Sequence, residues 1–326
     1  MDYIKEMSEN QVFFQKKLHF FMRVIYCAFY GKDTLYLDYG GILMLYKGRT
    51  DLATESFRQL GDNSGELTQI DGVMARNEKL YGLDVMSVDI LDESGAKALG
   101  KPIGKYFTLD TPSQFQRGAE QFPDLIKALS ELIGRCAADF ESVLVAALGN
   151  PDITPDALGS LAAGNILVTR HLKESKTQGF EAFSSLALSR PGVLGSSGIE
   201  SALQIKLLCN EIKPELVMVI DALAGADLDR LCRCIQISSA GISPGSGVGN
   251  DRQELSRETL GVPVISLGIP TVMDAGLIAG DKMAGLFITP RNIDSMVRAG
   301  ARVIGYGINM SVHSGISIED MDMLLG

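Results

Sequence analysis

The sequence predicts a single-domain α/β fold with a mostly parallel central sheet and helices on both of its faces. Three short apolar runs, residues 142–148, 216–220 and 263–268, have the composition of strands that are buried on both sides. Segments with helical spacing separate these runs, as expected where successive parallel strands are connected by helices. No linker and no internal repeat interrupts residues 52–326, so we expect one domain there.

The remaining elements follow from local patterns. Residues 67–110 contain runs of alternating polar and apolar side chains, which predict strands. Residues 113–138 predict a helix, because apolar side chains recur there at helical spacing. Thr154 is typical of an N-cap with Pro155 at the first helical position, so a helix is expected through residue 168. Further helices are predicted over residues 199–212, 226–232 and 272–283.

Composition excludes several functional classes. The 326-residue chain has a formal net charge of -10, which is unfavourable for covering a long stretch of DNA. Its five Cys residues are odd in number and include no CxxC pair, so reduced thiols fit better than a disulfide framework. The chain has three His and no HExxH motif, which argues against a His-rich zinc hydrolase. It also has no GxSxG motif that would mark a nucleophilic Ser.

The first 46 residues differ from the rest, because they hold 11 of the 22 aromatic residues. Their apolar run is too short to span a bilayer, and no secretory signal pattern accompanies it. Three interpretations stay open: an interfacial anchor, a packed helix and hairpin, or an over-extended start of translation. We favour the last, because Met44 lies just before the composition becomes ordinary.

Two carboxylates follow predicted strands. Asp156 comes soon after the 142–148 strand, and Asp221 directly follows the 216–220 strand. Ligands of open α/β sheets bind at the carboxyl ends of strands, so the two side chains can meet there. Two carboxylates in one site do not both ionise readily, so one can act as base and the other as acid; they can equally hold a divalent metal. Alternatively, Asp156 is an acidic residue at a helix N-terminus that interacts with the helix dipole, and Asp221 caps the next helix.

Residues 241–250 form the most glycine-dense stretch (GISPGSGVGN). Backbone N–H groups of such a loop can cradle an anion or approach a substrate chain closely, although a tight surface loop is an equal alternative. The candidate substrate-binding residues are Asn150, which follows the first buried strand, and Gly245, Ser246, Gly247, Gly249 and Asn250 of this loop.

Long segments of the chain, in order, resemble the germination proteases of spore-forming bacteria. The resemblance rests on residues 148–159 (LGNPDITPDALG), 165–172 (NILVTRHL), 190–195 (RPGVLG), 198–200 (GIE), 219–224 (VIDALA), 235–238 (IQIS), 244–250 (PGSGVGN), 259–265 (TLGVPVI) and 268–275 (GIPTVMDA). It covers residues 47–326 and implies a fold similar to that of the hydrogenase-maturation proteases.

The resemblance implies a cytoplasmic endopeptidase of the spore core that degrades small acid-soluble spore proteins on germination. It places the family's catalytic aspartates on Asp156 and Asp221. It further implies an aspartic-type mechanism and a homotetramer. We also expect no cofactor or metal, and no direct contact with nucleic acid or membrane. The family usually has a His at the position of Ser243, so a metal site using that His is not expected here.

The resemblance also implies a zymogen that cleaves itself. Family zymogens are cut between an acidic residue and a Leu-Ala pair, which corresponds here to the Asp51–Leu52 bond. The expected organisation is an aromatic-rich extension (1–46), the end of a propeptide (47–51) and a protease domain (52–326). Two alternatives stay open: a metal-dependent maturation-type protease with the same aspartates as ligands, and an inactive relative that only binds spore proteins.

Overall fold

A computed structural model of the chain describes residues 49–60, 69–112, 115–137, 140–249 and 252–325. The expectations for the extension 1–46, for residues 47–48 of the propeptide end and for Asn250 lie outside these residues.

The described residues contain a mixed sheet. Its strands are β1 (Val73–Leu80), β2 (Leu83–Ile90), β3 (Gly104–Asp110), β4 (Ser142–Ala147), β5 (Ser185–Ser189), β6 (Leu216–Gly225), β7 (Cys234–Ser238), β8 (Val264–Asp274) and β9 (Phe287–Ile288). Their order is β1-β2-β3-β7-β8-β6-β4-β5, and β9 pairs with β8.

The predicted α/β architecture is confirmed, but the sheet is mixed rather than mostly parallel: its parallel part consists of β5, β4, β6 and β8. The other strands join through antiparallel ladders. The hairpin between β1 and β2 shows why: Leu80 pairs with Leu83, and so short a connection permits only antiparallel pairing.

Helices cover both faces of the sheet. The described α-helices are α1 (Ala53–Leu60), α2 (Glu93–Leu99), α3 (Phe122–Cys136), α4 (Leu158–Ala162), α5 (Arg170–Glu174), α6 (Leu194–Ser197), α7 (Ser201–Ile212), α8 (Arg257–Leu260), α9 (Gly276–Ala279), α10 (Ile293–Val312) and α11 (Ile318–Leu325). Short 3₁₀ segments lie at Thr154–Asp156, Ala163–Asn165, Leu228–Arg230, Ser246–Val248 and Asp281–Met283.

The alternation of strand side chains divides the core into layers. In β4, Val143 and Val145 pack in the cluster that contains α3 and α10, whereas Leu144 and Ala146 pack in the cluster that contains α7. A strand with apolar side chains on both sides is the reason that its sequence is a continuous apolar run. The three buried strands predicted from such runs are therefore confirmed as β4, β6 and β8.

Two predicted helices are wrong, because β6 and β8 are longer than their apolar runs. The two strands stay paired from Val217 with Val264 to Gly225 with Met273. Pairing over this length replaces the start of each helix predicted at 226–232 and 272–283, which leaves only the 3₁₀ turn Leu228–Arg230 and the short helix α9.

Candidate active site

Asp221 lies within β6 rather than at its end, so the predicted strand boundary is wrong. Strand β4 ends at Ala147 opposite Ile220, which makes Asp221 the first residue of β6 beyond the end of its neighbour. Asp221 is only 5% exposed, and the N–H of Ala222 donates a hydrogen bond to its Oδ1 at 3.0 Å. The carboxylate therefore lies at the carboxyl end of the parallel strands, where ligands of such sheets bind.

Asp156 reaches the same end of the sheet from the turn after β4. It closes the 3₁₀ segment Thr154–Asp156, and its Oδ2 accepts the N–H of Asn150 at 2.7 Å. Thr154 does not cap a helix as predicted; its Oγ1 donates to Oδ1 of Asp294 at 2.9 Å. The turn is tight at Gly149, where φ is +97° and a Cβ would lie 2.0 Å from the carbonyl oxygen of Asp156.

We expect Gly149→Ala to destabilise the chain, because the added methyl would collide with the backbone of Asp156. Gly118→Ala is a matched control, since φ there is +96° and nothing lies within 4 Å of a Cβ. The control carries the strain of a positive φ without the collision. Urea unfolding should place Gly149→Ala about 1–3 kcal/mol below Gly118→Ala, the usual cost of overpacking. Equal stability of the two variants would show that the turn does not need this close approach.

The two aspartates are brought together in one cavity of about 520 Å³, which Asp51 also lines. Burial, and then the negative charges of Asp156 and Asp51, raise the pKa of Asp221 well above its ordinary value. Burial also raises the pKa of Asp156, but the Asn150 N–H and the charge of Arg252 oppose that increase. The environments of the two carboxyls differ, and Asp221 is the one that holds its proton more tightly.

The predicted glycine-rich loop reaches this site and contacts Asp51. Gly245 lines the cavity of the two aspartates, and the Oγ of Ser246 donates to Asp51 Oδ1 at 2.8 Å. A Cβ on Gly247 would lie 2.3 Å from Asp51 Oδ2, so only glycine permits this approach. Gly249 has a φ of +74° and closes the 3₁₀ segment Ser246–Val248.

The segment around Asp51 is bound to the end of β6. The N–H of Asp51 donates to the carbonyl of Ala224 at 2.9 Å, and the N–H of Ala224 donates to Asp51 Oδ2 at 2.8 Å. The register between β6 and β8 shifts between Leu223 and Ala224, where this contact is made. Leu52 follows with 0% exposure, so both residues of the predicted processing bond are held in place.

Sequence reasoning missed four residues of this site. Arg252 and Thr271 line the cavity, Ala224 binds Asp51, and Gln236 binds the backbone on both sides of Leu52. Thr271 Oγ1 is buried without a hydrogen-bond partner among the described residues. The sequence did contain one signal for Gln236, which lies in the otherwise apolar run Cys-Ile-Gln-Ile. Because buried polar groups normally have hydrogen-bond partners, an amide in such a run predicts a specific contact.

Neither a metal-binding cluster nor a membrane-spanning helix occurs among the described residues. No three His, Cys, Asp or Glu side chains form a group there that could hold a metal ion. No helix in the same residues is long and apolar enough to cross a bilayer.

The chain is similar to known proteases. A family model described as germination protease matches residues 50–287. The germination protease of Caldanaerobacter subterraneus subsp. tengcongensis is 39% identical over 321 residues, covering 85% of this chain and 98% of the relative. That of Bacillus cytotoxicus is 42% identical over 250 residues, covering 73% and 66%. A solved hydrogenase maturation protease from Thermococcus kodakarensis is similar at 19% identity with a TM-score of 0.33, covering 54% of this chain and 98% of that one.

Proposed function

This chain belongs to the germination protease family, and we propose that it is an endopeptidase that starts the degradation of small acid-soluble spore proteins during germination. It cleaves after an acidic residue that precedes an apolar residue and Ala, and Asp156 and Asp221 together activate the attacking water. The observation that carries the proposal is the single cavity lined by Asp156, Asp221 and the acidic residue Asp51.

The proposed mechanism uses the different environments of the two carboxyls. Asp156 starts ionised and takes a proton from water as the water oxygen bonds to the peptide carbonyl carbon. Asp221 starts protonated and donates its proton to the carbonyl oxygen, which gives a tetrahedral intermediate. Asp156 then gives its new proton to the leaving nitrogen as the C–N bond breaks, while Asp221 takes a proton from a hydroxyl of the intermediate. The products are a carboxylic acid and an amine, and both carboxyls return to their starting states. The deeper burial of Asp221 supports this assignment of acid and base.

Self-processing at Asp51–Leu52 is part of the proposal. The bound Asp51 side chain supports it, because Ser246 Oγ and the Ala224 N–H both donate to its carboxylate. A chain that fills its own substrate cleft is inactive toward other proteins until that segment is cut and leaves. We propose residues 1–46 as an aromatic-rich extension, 47–51 as the end of the propeptide and 52–326 as the protease domain.

The cellular setting is proposed from the family resemblance. The enzyme acts in the cytoplasm of the spore core as a homotetramer, and it needs no cofactor, metal, nucleic acid or membrane. Light scattering of the purified protein tests the assembly, since a tetramer has four times the mass of one chain, which is 35.1 kDa before self-processing.

The proposed activity is tested with a purified small acid-soluble spore protein as substrate. We expect the wild-type chain, after self-processing, to cut it after acidic residues. Asp156→Asn should lower the cleavage rate by about 100–10,000-fold, the usual contribution of an acid–base group. Asp152→Asn is the control, because Asp152 lies in the same turn but is exposed. Cleavage by a folded Asp156→Asn variant at the wild-type rate would remove this residue from the mechanism.

A further inference from the structure

Gln236 is a buried amide that holds the backbone on both sides of one peptide bond. It lies in the middle of β7 and is 6% exposed. Its Nε2 donates to the carbonyl oxygen of Asp51 at 2.9 Å, and its Oε1 accepts the N–H of Ala53 at 2.8 Å. Only this orientation of the amide satisfies both contacts, because a carbonyl accepts and an N–H donates. The Asp51–Leu52 peptide bond lies between the two contacts.

The sheet places this amide on the same side as the buried aspartate. Gly268 of β8 is the register partner of Asp221 on one side and of Gln236 on the other. Residues in register on neighbouring strands point to the same face, so Asp221 and Gln236 share a face, with Cα atoms about 10 Å apart across two strand spacings. Gly268 between them has no side chain; a Cβ there would lie 2.7 Å from the carbonyl oxygen of Asp221.

We propose that Gln236 is a third catalytic residue, whose Nε2 stabilises the partial negative charge on the carbonyl oxygen of the bond being cut until the proton of Asp221 is transferred to it. This inference rests on the proposed function, in which Asp51–Leu52 is that bond. A fixed donor contributes most in the transition state, because the attack of water builds negative charge on this oxygen before its protonation by Asp221 is complete. The leaving nitrogen is held as well, since the Leu52 N–H donates to Thr50 Oγ1 at 3.0 Å.

The contacts divide recognition between backbone and side chain. Gln236 binds a C=O and an N–H, which every peptide offers, so it fits any substrate sequence. Ser246 and Ala224 bind the carboxylate of Asp51, so they select the acidic residue. Once residues 47–51 have left, the Nε2 of Gln236 is free to bind the corresponding carbonyl of a spore protein in trans.

Self-processing of the full chain tests the role of Gln236. Gln236→Met keeps the length of the side chain and removes the donor, and we expect the first-order rate of Asp51–Leu52 cleavage to fall about 100–1,000-fold. Gln59→Met is the matched control, because Gln59 is exposed beside the neighbouring cavity that also contains Gln236. Circular dichroism and thermal unfolding confirm that each variant is folded, and mass spectrometry follows cleavage.

A second variant separates catalysis from a purely structural role. Gln236→Glu keeps the acceptor for the Ala53 N–H but donates to the carbonyl only when it is protonated. Its processing rate relative to wild type should therefore rise as the pH is lowered, which a structural anchor would not produce. A ratio that does not change with pH, or wild-type processing by a folded Gln236→Met variant, overturns this inference. Processing by the folded Asp156→Asn variant overturns instead the proposed function on which it rests.

Discussion

Replacing Asp221 with Asn is expected to abolish cleavage and at the same time to stabilise the protein. The carboxyl is buried in the cavity that Asp156 and Asp51 also line, and that burial opposes its ionisation. Asn has nearly the same shape, and its Oδ1 can still accept the Ala222 N–H that Asp221 accepts. The variant therefore loses the catalytic proton while it is freed from a carboxyl that is costly to ionise.

The stabilisation should depend on pH in a defined direction. Because the pKa of Asp221 is raised in the folded state, the folded chain keeps this proton at pH values where the unfolded chain has lost it. The stability that this proton provides is complete below the unfolded pKa, which is about 4. It is lost as the pH rises from there through the folded pKa, at about 1.4 kcal/mol for each pH unit between the two values.

Thermal unfolding of both chains from pH 4 upward measures this effect. The Tm of Asp221→Asn minus that of the wild type should increase with pH and level off above the folded pKa of Asp221. Exposed Asp152→Asn serves as the control and should leave Tm nearly unchanged at every pH. A Tm difference that does not change with pH would mean that folding does not raise the pKa of Asp221.

Asp51→Ala is expected to slow self-processing by about 100-fold or more. The substitution removes both acceptors of the carboxylate, Oδ1 for Ser246 and Oδ2 for the Ala224 N–H. Each hydrogen bond to a charged group contributes about 1.5–3 kcal/mol, and a loss of 1.4 kcal/mol corresponds to a factor of ten. Ser246→Ala removes only one of the two contacts, so we expect a loss of about tenfold.

Time courses by intact-mass spectrometry measure these rates, and N-terminal sequencing shows where the chain is cut. Asp84→Ala is a suitable control, because its ion pair with Lys79 is two-thirds exposed on both sides, and such pairs contribute little. Processing of Asp51→Ala at the wild-type rate, with a new terminus at Leu52, would contradict recognition of the acidic residue.

The sequence predicted the parallel strands and the meeting of the two aspartates, because each depends on local pattern. Buried parallel strands are continuous apolar runs, and Asp156 follows one of them at the end of the sheet where ligands bind. Asp221 was found for the same reason, although it lies inside β6. A carboxylate normally interrupts an apolar strand, and here the pairing with β8 carries the strand past it to Gly225.

The parts of the site that sequence reasoning missed depend on contacts between distant segments. Gln236 meets residues 51–53 only because β8 pairs with β7 on one side and with β6 on the other, a relation that no spacing along the chain shows. Nothing in the sequence distinguishes Ala224 from other alanines, because it binds Asp51 through its backbone N–H and C=O. Aspartates and glycine-rich loops can be recognised in a sequence by their residue types. Contacts made by backbone groups can be recognised only when the register of the sheet is known.

The most direct measurement of the central claim is the cleavage rate of a small acid-soluble spore protein by Asp156→Asn, Asp221→Asn and the double variant. Residues that act as one unit on one water show strongly non-additive losses. We therefore expect each single variant to lose nearly all activity and the double variant to be little worse than either. Activity in a folded single variant, or losses that multiply in the double variant, would contradict joint action of the two carboxyls.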